Sequence, residues 1–259
     1  RSGCRRHRRH LVEGRPQGVA LDISQCSALA GFQGTIMGTN SEDDLAGSDL
    51  VIVTAGLPRK PGMTREQLLD VNAGIVGPLA KRVAQHSPNA VLMVVTNPLD
   101  AMCYTAWKQS GFPKQRVVGM AGVLDTSRFR LFVGRELGVA PEKIQAMVLG
   151  SHGDEMVPVI SAALVDGKPL THILDAEKIQ ALVSRTQNGG AEIVNLLKTG
   201  SAYYAPGFSI AEMADAILND RKTTLPCSCL LQGEYGQQDV FMGVPAVLSR
   251  QGVEKIVEL

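Results

Sequence analysis

The sequence predicts an α/β protein in which a parallel sheet is built from strands alternating with helices, followed by a segment of helices and antiparallel hairpins. Three observations carry this expectation. Short β-branched or apolar runs at residues 48–54, 89–96 and 116–119 read as buried parallel strands, the first two stopping abruptly at Ala55-Gly56 and Asn97-Pro98. Stretches with helical spacing separate them, at 75–85 and 101–109. After Met120 the pattern changes, and residues 155–175 alternate apolar and turn-forming residues around Val165-Asp-Gly-Lys-Pro169, which suggests hairpins.

Taken in order, the first ten residues, Arg-Ser-Gly-Cys-Arg-Arg-His-Arg-Arg-His, have neither strand nor helix periodicity and are expected to be atypical. A helix is expected at 21–30, ending at Gly31. The strand at 48–54 opens into Ala55-Gly56, after which Pro58, Pro61 and Gly62 keep the chain irregular. Thr64-Arg-Glu-Gln67 can then cap a helix carrying Leu68, Leu69, Val71 and Asn72. The connection holds Arg59, Lys60 and Arg65 and reads as a mobile cationic lid or, more plainly, as a solvated surface loop. Asn97-Pro98 halts the strand at 89–96.

A helix at 125–137 places Asp125 and Arg128, three apart, on one face, where a salt-bridged surface pair is the simplest reading. The run at 144–149 reads as one strand leading into Gly150-Ser-His152-Gly-Asp154. His152 therefore lies where the chain leaves a sheet between two glycines, as a solvated turn residue or as a proton-transfer group. Helices at 176–186 and 192–197 are separated by Asn188-Gly-Gly190, and 227–232 and 239–247 form a strand pair with a Gly-rich connection.

Composition narrows the function classes. The 259 residues, 44% of them hydrophobic, suffice for one large domain or two smaller ones, and nothing approaches an apolar membrane span. Five cysteines, Cys4, Cys26, Cys103, Cys227 and Cys229, form an odd, scattered set. Cys227-Ser-Cys229 lacks zinc-knuckle spacing, so buried thiols in a reducing compartment, and no metal site, are expected. The net charge of +1 conceals an asymmetry: five arginines in residues 1–10 leave 21 basic against 25 acidic residues elsewhere, a balance of −4. Such a body is not suited to nucleic acid.

The motifs Ala55-Gly-Leu-Pro-Arg-Lys-Pro-Gly-Met, Val95-Thr-Asn-Pro-Leu-Asp, Gly119-Met-Ala-Gly-Val-Leu-Asp and Gly150-Ser-His-Gly-Asp occur in this order, and each alone is weak. Together they make the chain, from about Val12 to Leu259, resemble the lactate/malate dehydrogenase family, and most closely its bacterial members of the lactate-dehydrogenase-like type that act on malate. The resemblance implies an incomplete Rossmann-type doubly wound parallel sheet in residues 1–119 and an α+β catalytic domain in residues 120–259. It would place before Val12 the end of a strand, preceded by a strand, a Gly-x-Gly-x-x-Gly turn and a helix; an out-of-frame reading would account for the basic residues 5–10. Gly14-x-x-x-Gly18 is not that turn, so no pyrophosphate loop is assigned and weak NAD binding is expected. A further helix would follow Leu259, and an apolar strand edge would be exposed.

The activity implied by the resemblance is NAD-dependent oxidation of malate to oxaloacetate. His152 would be the proton acceptor and Asp125 its orienting acid. Arg128 would grip the carboxylate beside the reacting carbon, Arg65 would polarise its oxygen, and Arg59 would hold the second carboxylate. Asn97 and Ser201 complete the substrate set. Thr54, Ala55, Gly56, Asn72, Val95, Thr96 and Asn97 are carried over as nicotinamide-side contacts. A homo-oligomer, dimer or tetramer, in the cytoplasm is implied. The alternatives are lactate dehydrogenase, which Arg59 disfavours, and a catalytically inactive chain that serves as an oligomer-forming structural or binding protein.

Overall fold

The structure, a computed structural model, describes residues 5–9, 12–58 and 63–259, with the side chains of residues 5–9 and of Arg65 outside that description. It begins with a strand, β1 (Arg5–Arg9), which pairs in parallel with β2 (Thr35–Thr39) in the register Arg5↔Thr35 to Arg9↔Thr39. These residues show no strand periodicity, and only the resemblance, which places the end of a strand before Val12, indicates one there. A ladder of backbone hydrogen bonds is open to any residue except proline, so a strand can form without an apolar pattern to announce it.

Between the two strands run α1 (Arg15–Gln25) and α2 (Ser27–Ala30). The helical segment starts earlier than expected because Pro16, with φ already set for a first turn, follows Gly14 at φ 80°. It ends at Gly31 in the left-handed conformation, as the sequence indicates. The strand β2 was not anticipated: five residues, the fourth of them Gly38, give little pattern to read.

A second parallel set follows in strict alternation: β3 (Leu50–Val53), α3 (Arg65–His86), β4 (Val91–Val94), α4 (Leu99–Ser110) and β5 (Val117–Gly119). The registers Leu50↔Val91 and Leu92↔Val117 place β4 between the other two. All four residues of β4 are buried, which is why this segment reads as an uninterrupted apolar run. The expected capping box forms in full, with Thr64 accepting from the Gln67 amide while the Gln67 side chain accepts from the Thr64 amide. From that cap α3 continues unbroken for 22 residues through Pro78. Its buried Val76, Ala80 and Val83 pack with Met102, Cys103 and Ala106 of α4 over the sheet. β3 is an edge of this sheet, and Ile52 on it is 39% exposed, in keeping with the expected apolar edge.

Beyond β5 the same sheet becomes antiparallel. α5 (Gly122–Leu137) leads to β6 (Ile144–Gln145), β7 (Val148–Gly150) and β8 (Met156–Pro158), then to β9 (Leu164–Val165) and β10 (Lys168–Pro169). Helices α6 (Ala176–Gln187), α7 (Gly189–Leu197) and α8 (Tyr204–Leu218) precede β11 (Thr223–Gln232), β12 (Gln238–Ser249) and β13 (Gly252–Ile256). The large sheet runs β3-β4-β5-β11-β12-β7-β8, with β13 on β12, while β10-β9-β6 form a separate small sheet.

The run at 144–149 is therefore two strands rather than one: β6 joins the small sheet and β7 the large one. Periodicity cannot reveal a change of partner inside an apolar segment. α8 and β13 were also not anticipated; the first turn of α8 holds Pro206 and Gly207, residues that depress a helical reading although Pro is compatible with a first turn. Three buried clusters result, two on the faces of the large sheet and one joining Phe129, Phe132 and Val133 of α5 to β6, β7 and α6.

Cys103, Cys227 and Cys229 belong to these cores, whereas Cys26 is exposed. Burial pushes the Cys103 thiol well above its ordinary value, and the hydrogen bond with Cys227 together with burial does the same to Cys229. Iodoacetamide should therefore alkylate Cys26 in the native protein and reach Cys103, Cys227 and Cys229 only in denaturant, as read by peptide mass spectrometry. Rapid native labelling of any of the three would show that the packing described is wrong.

Candidate functional site

The site is built where the first turn of α5 presses on β7. A Cβ on Gly122 would lie 2.5 Å from the Val148 carbonyl oxygen and 2.7 Å from Pro226 Cβ, so only glycine permits this approach. One turn later Thr126 Oγ1 accepts a hydrogen bond from the Val148 amide at 3.0 Å, fixing helix against strand. Asp125, between these two contacts, is thereby aimed at the loop that follows β7.

There His152 Nδ1 meets Asp125 Oδ2 at 2.8 Å, and Arg128 Nη1 donates to Asp125 Oδ1 at 3.1 Å. Asp125 is 2% exposed, and His152 and Arg128 are themselves mostly buried. The carboxylate thus lies between an imidazole and a guanidinium, with one oxygen directed to each. The Asp125–Arg128 pair is consequently not the solvated surface pair that spacing alone indicates. Removing one member of such a buried pair leaves an uncompensated charge, a loss of about 3 to 5 kcal/mol.

Chemically, a carboxylate on Nδ1 fixes the tautomer in which that nitrogen carries hydrogen, which leaves Nε2 as a proton acceptor. The stem of Arg128 passes close to α7. A Cβ on Gly189 would lie 3.2 Å from Arg128 Cδ, and one on Gly190 would lie 3.8 Å from Nη2. Asn188-Gly-Gly190, legible in the sequence only as a helix break, therefore makes room for the guanidinium.

The turn Thr54-Ala55-Gly56 and Asn97 are exposed at the C-terminal ends of β3 and β4. Two expected contacts have another task. Asn72 is 1% exposed, and its amide group accepts from the Leu57 amide at 2.8 Å while donating to the Leu57 carbonyl at 3.1 Å and the Asn97 carbonyl at 2.6 Å. Thr96 is buried and donates to the Ala55 carbonyl at 2.7 Å. Their side chains brace the turn from beneath. Val95, half-buried, donates its backbone amide to Val53. Ser201 lies exposed between α7 and α8, and among the described residues no hydrogen bond ties it to the His152 cluster. Arg59 and the side chain of Arg65 lie outside the described residues.

Two family models divide this chain between them, "lactate/malate dehydrogenase, NAD binding domain" over residues 10–119 and "lactate/malate dehydrogenase, alpha/beta C-terminal domain" over residues 122–259. The chain belongs to the lactate/malate dehydrogenase family. It is 53% identical over 249 residues to a malate dehydrogenase of Roseiflexus sp. (strain RS-1), covering 96% of this chain and 81% of that one. Among solved structures it is similar to the malate dehydrogenase of Cryptosporidium parvum, with a TM-score of 0.94 at 46% identity over 98% of this chain and 82% of that one. The lactate dehydrogenase of the same organism, solved with lactic acid and nicotinamide adenine dinucleotide, gives a TM-score of 0.93 at 41% identity over 98% and 81% of the two chains.

For a lactate/malate dehydrogenase, the NAD-binding domain must present a crevice at the carboxyl ends of its parallel strands. The exposed Thr54–Gly56 turn and Asn97, held from below by Asn72 and Thr96, suit the nicotinamide side of that crevice. The parts played by Gly122 and Thr126 against Val148 and by Gly189 beside Arg128 were not readable from the sequence, where Gly122 stood only inside a motif and Gly189 only in a helix break.

An Asn72→Ala substitution should strand the Leu57 amide and two carbonyls and cost roughly 2 kcal/mol or more. Urea unfolding with an unchanged slope and a lower midpoint is the expected result, and an unshifted midpoint would contradict the bracing role.

Proposed function

We propose that this chain is a malate dehydrogenase that oxidises malate to oxaloacetate with NAD, residues 1–119 serving the dinucleotide and residues 120–259 the substrate. The observation that carries the reading is the 2.8 Å contact between His152 and a buried Asp125 whose other oxygen holds Arg128. A base, its orienting acid and a carboxylate-binding guanidinium share one node, which is what oxidation of a 2-hydroxy acid requires.

In this mechanism the C2 hydroxyl of malate gives its proton to His152 Nε2. Asp125 keeps the ring oriented through Nδ1–H and stabilises the imidazolium. Arg128 presents the remaining edge of its fork to the carboxylate next to C2, fixing the carbon's orientation better than a point charge would. NAD, when bound, accepts the hydride from C2. In reverse the charged His152 returns its proton to the ketone oxygen.

Asn97, with the Thr54-Ala55-Gly56 turn and the Val95 and Thr96 backbone, would hold the nicotinamide side, with Asn97 and Ser201 also facing substrate. Arg65 at the C2 oxygen and Arg59 at the distal carboxylate are assigned from the motif Ala55-Gly-Leu-Pro-Arg-Lys-Pro-Gly-Met and the residues after it. Arg59 favours malate over lactate, because a second anion needs a second cation.

Assembly as a dimer or tetramer and residence in the cytoplasm form part of the proposal. Support for the first is the exposure of Leu196, Tyr203, Tyr204 and Phe208 on α7 and α8. Support for the second is the set of buried free thiols, and among the described residues no helix is long and apolar enough to cross a membrane.

Three measurements test the reading. NADH titration of the purified chain, followed by nicotinamide fluorescence, should give weak but saturable binding, as expected of a chain with no assigned pyrophosphate loop, whereas its absence would favour the alternative of an inactive structural or binding protein. Oxaloacetate-dependent oxidation of NADH should fall about 100- to 10,000-fold in His152→Asn. Arg59→Gln should lose on the order of 2 to 5 kcal/mol of discrimination in favour of oxaloacetate over pyruvate. Unchanged reduction of oxaloacetate in the Arg59 variant would withdraw that residue from the substrate site.

A further inference from the structure

Next to the His152 cluster lies a second carboxylate that the mechanism does not use. Asp100 stands in the first turn of α4, directly after Asn97-Pro98. Both of its oxygens accept from serine hydroxyls: Ser228 Oγ donates to Oδ1 at 2.6 Å and Ser151 Oγ donates to Oδ2 at 2.8 Å. Ser151 is the residue before His152. Ser228 is fully buried on β11, in register with Gly119 at the end of β5.

We infer that Asp100 is a positioning residue for proton transfer, clamping the loop that carries His152 to the strand end that carries Asn97 through its paired hydrogen bonds from Ser151 and Ser228. The inference rests on the assignment of His152 as the proton acceptor and extends it from the ring to the backbone beneath. Asp125 can fix the direction of the imidazole but not the place of its Cα. Gly150 at φ 80° and Gly153 at φ 152° flank Ser151-His152, and glycine hinges on both sides leave that short segment free to shift unless something else holds it.

The Ser151–Asp100 bond supplies that hold across 51 residues of sequence. It joins the loop after β7, in the half of the chain bearing the base, to α4, in the half bearing the cofactor crevice. Ser228 supports it from the other side. A carboxylate that receives two hydroxyls on separate oxygens is restricted in both its torsions, so the latch is itself held. Asp100 also matters for what surrounds it: the buried Cys103 thiol is kept neutral by burial first and by the neighbouring Asp100 carboxylate second. No step of the reaction passes through Asp100, and its effect is exerted through the position of Nε2.

The test uses Ser151→Ala, Asp100→Ala and the conservative Ser151→Thr in the full chain, with His152 observed directly. Carbethoxylation of His152 by diethyl pyrocarbonate is followed by peptide mass spectrometry, and its ring tautomer by nitrogen NMR of histidine-labelled protein. Ser151→Ala and Asp100→Ala should raise the carbethoxylation rate severalfold over wild type and mix the tautomers, while Ser151→Thr, which keeps the hydroxyl, restores both.

In turnover, the two alanine variants should lower kcat by up to about 100-fold with little change in the KM for NADH, the pattern of a displaced group rather than a lost binding contact. If Asp100→Ala merely lowers thermal stability while His152 reactivity, tautomer and kcat remain those of wild type, the clamp is overturned. Because carbethoxylation and NMR need no cofactor, a chain without malate-oxidising activity would refute the proposed function and leave the clamp tested on its own terms.

Discussion

A buried carboxylate shared between an imidazole and a guanidinium is the constraint on which the candidate site depends. Asp125 is accommodated at 2% exposure because Arg128 and His152 occupy its two oxygens. That requirement fixes three things together. α5 must start close enough to β7 for the carboxylate to reach the His152 loop, the helix must present Arg128 three residues on, and α7 must leave space beside the guanidinium. Gly122, the Thr126 hydroxyl and Gly189 meet these needs in turn. Their contribution is geometric, since none of the three carries the chemistry.

The sheet explains how two halves of the chain come to share one site. β5 ends at Gly119 against Ser228 of β11, so the parallel strands of the NAD-binding half continue without a gap into the antiparallel strands of the other half. The ends of β3 and β4 and the loop after β7 are therefore parts of one hydrogen-bonded framework rather than of two bodies joined by a linker. The turn after β3 and the His152 loop are thereby held at a fixed separation, with little conformational freedom left to remove.

Polar residues in this region divide into those whose side chains are engaged by the fold and those left exposed. Asn72 and Thr96 satisfy the carbonyls and amides of the turn and of Asn97, groups that would otherwise be buried without partners. Asn97 and the Thr54–Gly56 turn remain exposed above them. A motif reading assigns all of these residues to the ligand alike, because sequence order contains no depth. The structure separates the exposed layer from the buried layer that holds it in shape.

Read by itself, the sequence determined the α/β class, the three central parallel strands, the capping box at Thr64, the helix carrying Asp125 and Arg128, and the Gly-flanked loop carrying His152. These are local or periodic signals: runs of apolar residues, caps, and short motifs whose spacing survives in one dimension. It did not reveal β1 in an arginine-rich stretch, β2, α8 or β13, nor the division of residues 144–149 between two sheets. Tertiary structure decided those, along with whether Asp125 and Arg128 form a surface pair or a buried node. The physical reason is the same in each case: strand pairing, burial and close approach are set by partners distant in the chain, and a residue's neighbours in sequence hold no information about the depth at which it will lie.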